Sequence, residues 1–125
     1  MRAVSERILR LAGAPEGFEP AAVVRECIES GARALLLDRG ALPPAFFDLS
    51  TRVAGDLVHR ITLYGIPMAA VVPDVAAHSP SFQDFAREAN RGAGFRFVPT
   101  AGEAEAWLTD RADDSADRSD SGAGR

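Results

Sequence analysis

The chain has 125 residues, 46% of them hydrophobic, with eighteen acidic side chains against fourteen arginines and no lysine, for a net charge of −4. That suffices for one globular domain burying roughly two thirds of its unfolded surface, and it offers no basic stripe to neutralise a run of nucleic-acid phosphates. No apolar run approaches the ~18 residues of a membrane span, and Arg2, Glu6, Arg7 and Arg10 interrupt any signal-peptide core, so neither nucleic acid nor membrane is an expected partner and a cytoplasmic address is expected.

In chain order, "RILRLAG" (Arg7 to Gly13) reads as a short strand, followed by a turn at Pro15 to Gly17 and a helix from about Glu19 to Ser30. Pro20 suits the first turn of that helix, and Gly31 ends it. Val24, Cys27, Ile28 and Gly31 share one face of it. Cys27, the single cysteine, reads as a small buried hydrophobe, because no histidine or helix N-terminus is placed to lower its pKa. "ARALLLD" to Asp38 is a continuous apolar run and suits a strand covered on both faces.

A loop with Pro43 and Pro44 leads to "FFDLSTRVAG" (Phe46 to Gly55) and a helix running to about Tyr64, stopped at Gly65. Its expected core stripe is Val53, Leu57, Ile61 and Tyr64, with Ser50 and Ala54 beside it. The opposite face then holds Arg52, Gly55, His59 and Thr62. "IPMAAVVP" (Ile66 to Pro73) is a second apolar strand. A helix from Ser79 or Ser81 to Arg91 follows, burying Phe82, Phe85, Ala86 and Ala89 and ended by Gly92. "FRFV" (Phe95 to Val98) is the last strand. "TAGEAEAWL" is a final helix with Thr100 and Glu103 in capping-box spacing and Ala104, Trp107 and Leu108 facing inward. From Arg111 to Arg125 the acids Asp113, Asp114, Asp117 and Asp120 and the lack of large apolar side chains read as a disordered acidic tail. Residues 1–110 are thus expected to form one α/β domain. Alternating strands and helices predict a small, mostly parallel sheet of four to five strands with flanking helices.

Asp48, Ser50 or Thr51 can each cap the helix that follows, an effect of about 1 kcal/mol, and capping accounts for most of that stretch. It does not account for Gly55, which costs roughly 0.8–1 kcal/mol against Ala inside a helix and sits on the outward face. Either a neighbouring loop of the same chain, or a partner or ligand, is expected to come close there. Ligands of parallel sheets gather at the carboxyl ends of the strands, where Asp38, Asp48, Ser50, Thr51, Asp74, His78, Ser79, Ser81 and Thr100 would collect. Caps accumulate at that edge in every such fold.

Asp74 and His78 lie four apart but lack further ligands for a metal, and no G-x-S-x-G elbow or dinucleotide glycine loop is present. No cofactor and no metal are therefore expected, and no catalytic set emerges. His59 reads as a solvated surface side chain.

"PPAFFDLSTRVAGDLVHRITLYGIPMAAVVPD", "SFQDFAREANRG" and "FRFVPTAGEAEAWL" together resemble the bacterial family known as domain of unknown function 4180, over about Ala22 to Leu108. The most specific parts are Phe46-Phe47-Asp48-Leu49 with Thr51, Ala54-Gly55-Asp56, and Asn90-Arg91-Gly92. The resemblance implies a fold more than a function. The chain departs from the family in an N-terminus shorter by one strand and in His59, which stands where the family has a polar amide. The order of elements also resembles the STAS domains of anti-sigma-factor antagonists, without their Asp-Ser-Ser-Gly run. That likeness implies a phosphorylation switch at Ser50 or Thr51.

Two functions from different classes remain open. One is a non-enzymatic regulatory module whose protein-binding surface is built from Asp48, Ser50, Thr51, Arg52, Gly55 and His59, with Arg87, Asn90 and Arg91. The other is a small-ligand binder or enzyme using Asp38, Asp74, His78 and Ser79 at the strand ends. The sequence favours the first and leaves the oligomeric state open.

Overall fold

The computed structural model describes residues 8–11, 19–92 and 94–110. Four strands, β1 (Ile8–Leu11), β2 (Ala34–Leu37), β3 (Met68–Val71) and β4 (Phe95–Val98), form one all-parallel sheet in the order β1-β2-β3-β4. Between them run α1 (Pro20–Glu29), a four-residue α2 (Pro44–Phe47), α3 (Val53–Tyr64) and α4 (Pro80–Arg91), and α5 (101–110) follows the last strand. The fold is α/β, and the described strands number four; no hairpin partner to β1 lies among the described residues. The expected turn over 15–17 and the acidic tail from Arg111 lie outside them.

The sequential strand order decides where the core sits. Crossovers between parallel strands keep one hand, so a sheet that grows by one strand at each step places every crossover helix on the same face. Leu35, Leu37, Met68, Ala70, Phe95 and Phe97 point into that face and pack against α1 to α4. The reverse face carries Ala34, Leu36, Ala69, Val71 and Val98, covered by Ala104 and Leu108 of α5 with Trp107 beside them. Its two alanines, each fully buried, let the single helix lie close to the strands. Both apolar strands read from the sequence are buried at all four positions.

Three expected stripes shift. In α3 the buried residues are Ala54, Leu57 and Ile61, while Tyr64 is exposed. Gly65 ends the helix in the left-handed region at φ 66, and the chain turns to β3 before Tyr64 reaches the core. In α1 the stripe is Val23, Val24 and Cys27, which leaves Ile28 outside. In α4, Phe82 and Ala86 are buried, whereas Phe85 and Ala89 are half-buried. Ser79 is the cap of α4 and accepts from the Phe82 N–H at 3.2 Å. Thr100 caps α5, accepting from the Glu103 N–H at 3.1 Å.

Strand β4 pairs with β3 on one side, where its Gly94 and Val98 carbonyls accept from Met68 and Val72. By the alternation of a parallel ladder, Phe97 turns its peptide groups the other way. Asn90 meets both: its Oδ1 accepts from the Phe97 N–H at 2.8 Å and its Nδ2 donates to the Phe97 carbonyl at 3.4 Å. The amide of Asn90, one of the residues expected on a binding surface, thus closes the outer edge of β4 at Phe97. Replacing it by Ala leaves a half-buried N–H and carbonyl unmet, and Asn90→Ala is expected to lower stability by about 1–2 kcal/mol in urea unfolding.

Candidate functional site

Between β2 and α3 the chain makes two short helical pieces, and the joint between them defines the site. Pro44 opens α2, and Phe46 is fully buried against Phe82 and Phe97, with ring centroids 6.3 and 6.2 Å away. Phe47 stacks on His78 at 4.1 Å with planes 3° apart. These rings fix the segment, and a single turn, Leu49–Thr51, follows them.

Asp48 caps this turn rather than α3, the helix it was expected to cap. Its Oδ1 accepts from the Ser50 N–H at 3.0 Å and from the Ser50 hydroxyl at 2.7 Å. Both donors favour the ionised carboxylate and hold its pKa below the ordinary carboxylate value. The Thr51 hydroxyl lies 2.6 Å from the Ala45 carbonyl and 2.8 Å from that of Asp48, shares its proton between them, and accepts from the Val53 N–H at 3.3 Å. Thr51 is therefore a knot joining α2, the turn and α3.

The residue before α3 is Arg52, at φ 68 and ψ 6, the one non-glycine with positive φ among the described residues. A side chain there costs on the order of 1 kcal/mol. The Arg52 backbone N–H donates to the Leu49 carbonyl at 3.0 Å and its carbonyl accepts from the Asp56 N–H at 2.8 Å, but its side chain makes no hydrogen bond or ion pair with any described residue and so does not offset that cost.

Arg52 borders a groove of about 680 Å³ lined by Leu49, Val53 and Phe85 on its apolar side and by Thr51, Asp56 and His59 on its polar side, with Pro20 and Gly55 completing it. Four residues expected on a binding surface, Thr51, Arg52, Gly55 and His59, thus meet in one concavity. A Cβ added to Gly55 would touch nothing within 4 Å. No loop of the described chain needs the glycine, which answers one of the two alternatives its position raised. Asp56 is engaged by Arg60 at 3.2 Å, so the groove charge left unpaired among the described residues is the Arg52 guanidinium. Val53 and Phe85 carried no signal of a site, because each fits a core stripe equally well, and Leu49 entered only through the family motif.

The other expected residues lie elsewhere. Arg87 pairs with Asp84 at 2.7 Å and Arg91 with Glu88 at 3.3 Å, both on the exposed face of α4. At the strand ends Asp38 is paired with Arg10 at 2.7 Å, and Arg10 also reaches Glu105 at 3.1 Å. Asp74 accepts from Arg39 at 3.2 Å and stands 3.6 Å from His78 Nε2. That nitrogen is buried and has no hydrogen-bond partner. None of Asp38, Asp74, His78 or Ser79 lines the groove. Among the described residues no group of three or more His, Cys, Asp and Glu could hold a metal ion, and no helix is long and apolar enough to cross a membrane.

Cys27 is fully buried on the inner face of α1, its Sγ 3.7 Å from the Ala34 carbonyl. Burial pushes its pKa up from 9.0 to about 11, since a thiolate there would lose its hydration. The folded value lies above the unfolded one, so its contribution to stability is complete below pH 9 and is lost as pH rises through about 11.

Two measurements check these assignments. Thermal unfolding of the wild type should lose up to roughly 2–3 kcal/mol across that alkaline window, and Cys27→Ala should remove that part of the slope. Arg52→Gly should raise stability by about 1 kcal/mol in denaturant unfolding, because glycine adopts the left-handed conformation without strain.

A family model matches residues 19–108, under the description Domain of unknown function (DUF4180). No curated protein matches, and no solved structure matches.

Proposed function

Because the chain belongs to the DUF4180 family, whose description carries no activity, we propose that it acts as a non-enzymatic regulatory module that holds a partner protein in the groove beside α3. The observation that carries this reading is Gly55. It weakens an exposed helix, nothing in the described chain approaches it, and its missing side chain keeps open the concavity that Arg52 borders. A helix bears that cost without benefit unless something enters.

The chemistry of the lining describes the partner. Leu49, Val53 and Phe85 suit an apolar anchor, and the unpaired Arg52 suits an acidic group beside that anchor, worth more in specificity and association rate than in raw affinity. The likeness to STAS domains supports a regulatory role through the order of elements, and on that likeness Ser50 or Thr51 is the modification that releases the partner. Ser50 is the more accessible of the two in bonding terms, since its hydroxyl meets Asp48 alone whereas Thr51 ties three segments together. A phosphate on Ser50 adds up to two negative charges beside Asp48, breaks that contact and repels an acidic partner.

Affinity capture from the native cell extract, read by mass spectrometry, tests this. Gly55→Arg places a long side chain in the groove without a clash at its Cβ, and should raise stability by about 0.5–1 kcal/mol through helix propensity. A partner held by the wild type and lost by this more stable variant is the expected result; retention of every partner overturns the reading.

A second reading, a small-ligand site at the strand ends, is favoured by one observation: His78 Nε2, buried and without a hydrogen-bond partner, 3.6 Å from Asp74. A fragment screen by NMR would move the His78 ring signals if that edge takes a ligand, and unchanged signals would end this version.

A further inference from the structure

The helices of a parallel α/β unit run opposite to its strands, so the groove at the start of α3 lies at the carboxyl edge of the sheet and the last turns of α1 and α3 lie at the other end. The large hydrophobic side chains exposed among the described residues are Ile28 at 47%, Leu63 at 68% and Tyr64 at 61%. All three belong to those last turns. None is needed there by the core, which α1 meets through Val23, Val24 and Cys27 and α3 through Ala54, Leu57 and Ile61.

Between the two helices, which pack against each other, lies a recess of about 330 Å³ lined by Val24, Ile28 and Tyr64 and flanked by Arg25, Glu29 and Arg60. Leu63, next to Tyr64 on α3, is not part of that lining and is largely exposed. The last turn of α3 therefore carries an exposed apolar side chain at the margin of a recess. Its charges follow the same pattern. Arg60 is held by Asp56, while Arg25 and Glu29, one turn apart on α1 and both exposed, form no ion pair with each other or with another described residue.

We infer that this face joins two copies of the chain about a two-fold axis, with α1 of each copy antiparallel to α1 of the other. In such an isologous contact each element of the face meets its complement twice. Leu63 of one copy enters the recess of the other, and Arg25 of each copy meets Glu29 of its partner. An unrelated protein would need to supply both the projection and the two charges in register; a second copy carries them already. The ten residues of α1 span only about 15 Å, a short seam for a contact that ordinarily buries ~800 Å² per partner in a stable complex. The dimer is accordingly weak and dependent on concentration. It uses no residue of the groove at the opposite edge and stands independently of the function proposed for that groove.

Sedimentation velocity of the full chain over a concentration series tests the inference. The wild type should pass from monomer to dimer mass as concentration rises. Leu63→Glu should abolish the dimer, and because Leu63 is largely exposed the variant's circular dichroism should match the wild type. Arg25→Glu and Glu29→Arg, each placing like charges opposite one another twice, should each weaken the dimer about tenfold. The double variant Arg25→Glu with Glu29→Arg should restore it to near the wild-type constant. A wild type that stays monomeric throughout overturns the inference. So does a dimer indifferent to Leu63→Glu, or a double variant no tighter than the single ones.

Discussion

Phe82 is the interaction on which the rest of this structure depends. Fully buried on α4, its ring lies 5.1 to 6.3 Å from those of Phe46, Phe47, Phe85 and Phe97 and 5.2 Å from His78. Edge-to-face pairs of this kind each add about 0.5–1.5 kcal/mol beyond the area they bury. The ring joins α2, α4, β4 and the loop after β3, which are distant in sequence. A four-residue helix and a single turn have no stability of their own, so the corner from Pro44 to Arg52 holds its shape because Phe46 and Phe47 are clamped there. The groove inherits its wall from that clamp, and Leu49 and Val53 face it because the rings ahead of them are fixed.

The sequential sheet imposes a second constraint. With α1, α3 and α4 on one face, the reverse face depends on one helix, and the chain meets this with small residues in the strands and an Arg96–Trp107 contact, the guanidinium carbon 5.5 Å from the ring centroid, at its margin. The helix layer in turn has two unlike ends. The carboxyl end holds capped turns, ion pairs and the groove, whereas the other end carries apolar side chains that the core does not use. Helix caps are polar by nature and collect where helices begin, so this polarity follows from the topology alone.

Much of the fold was legible because its signals are periodic or terminal. Strand β4 falls on the four residues the apolar run marked, Ser79 and Thr100 cap the helices that follow them, and the left-handed Gly31 and Gly65 stand where helices stop. The site was legible in part. Gly55 drew notice because an exposed mid-helix glycine contradicts helix propensity, and Arg52 and His59 came with it as members of the same face. The division of "FFDLST" into a clamp, a turn and a left-handed joint was not legible, because the residue at φ 68 is an arginine and positive φ is ordinarily signalled by glycine or asparagine. Tyr64 and Ile28 were misplaced for a related reason: hydrophobic spacing marks a helical face but not where the chain leaves the core. Asn90 fits any polar surface position, and its role follows from a strand that comes later in the chain.

That role reaches beyond the stability of one domain. The outer side of β4 is the edge of a parallel sheet, and "FRFV" combines aromatic and β-branched residues with a single charge, a composition suited to pairing with another chain. By occupying both peptide groups of Phe97, the Asn90 amide stands where the first hydrogen bonds of an added strand would form. A strand arriving at that edge would first have to displace the Asn90 amide from Phe97.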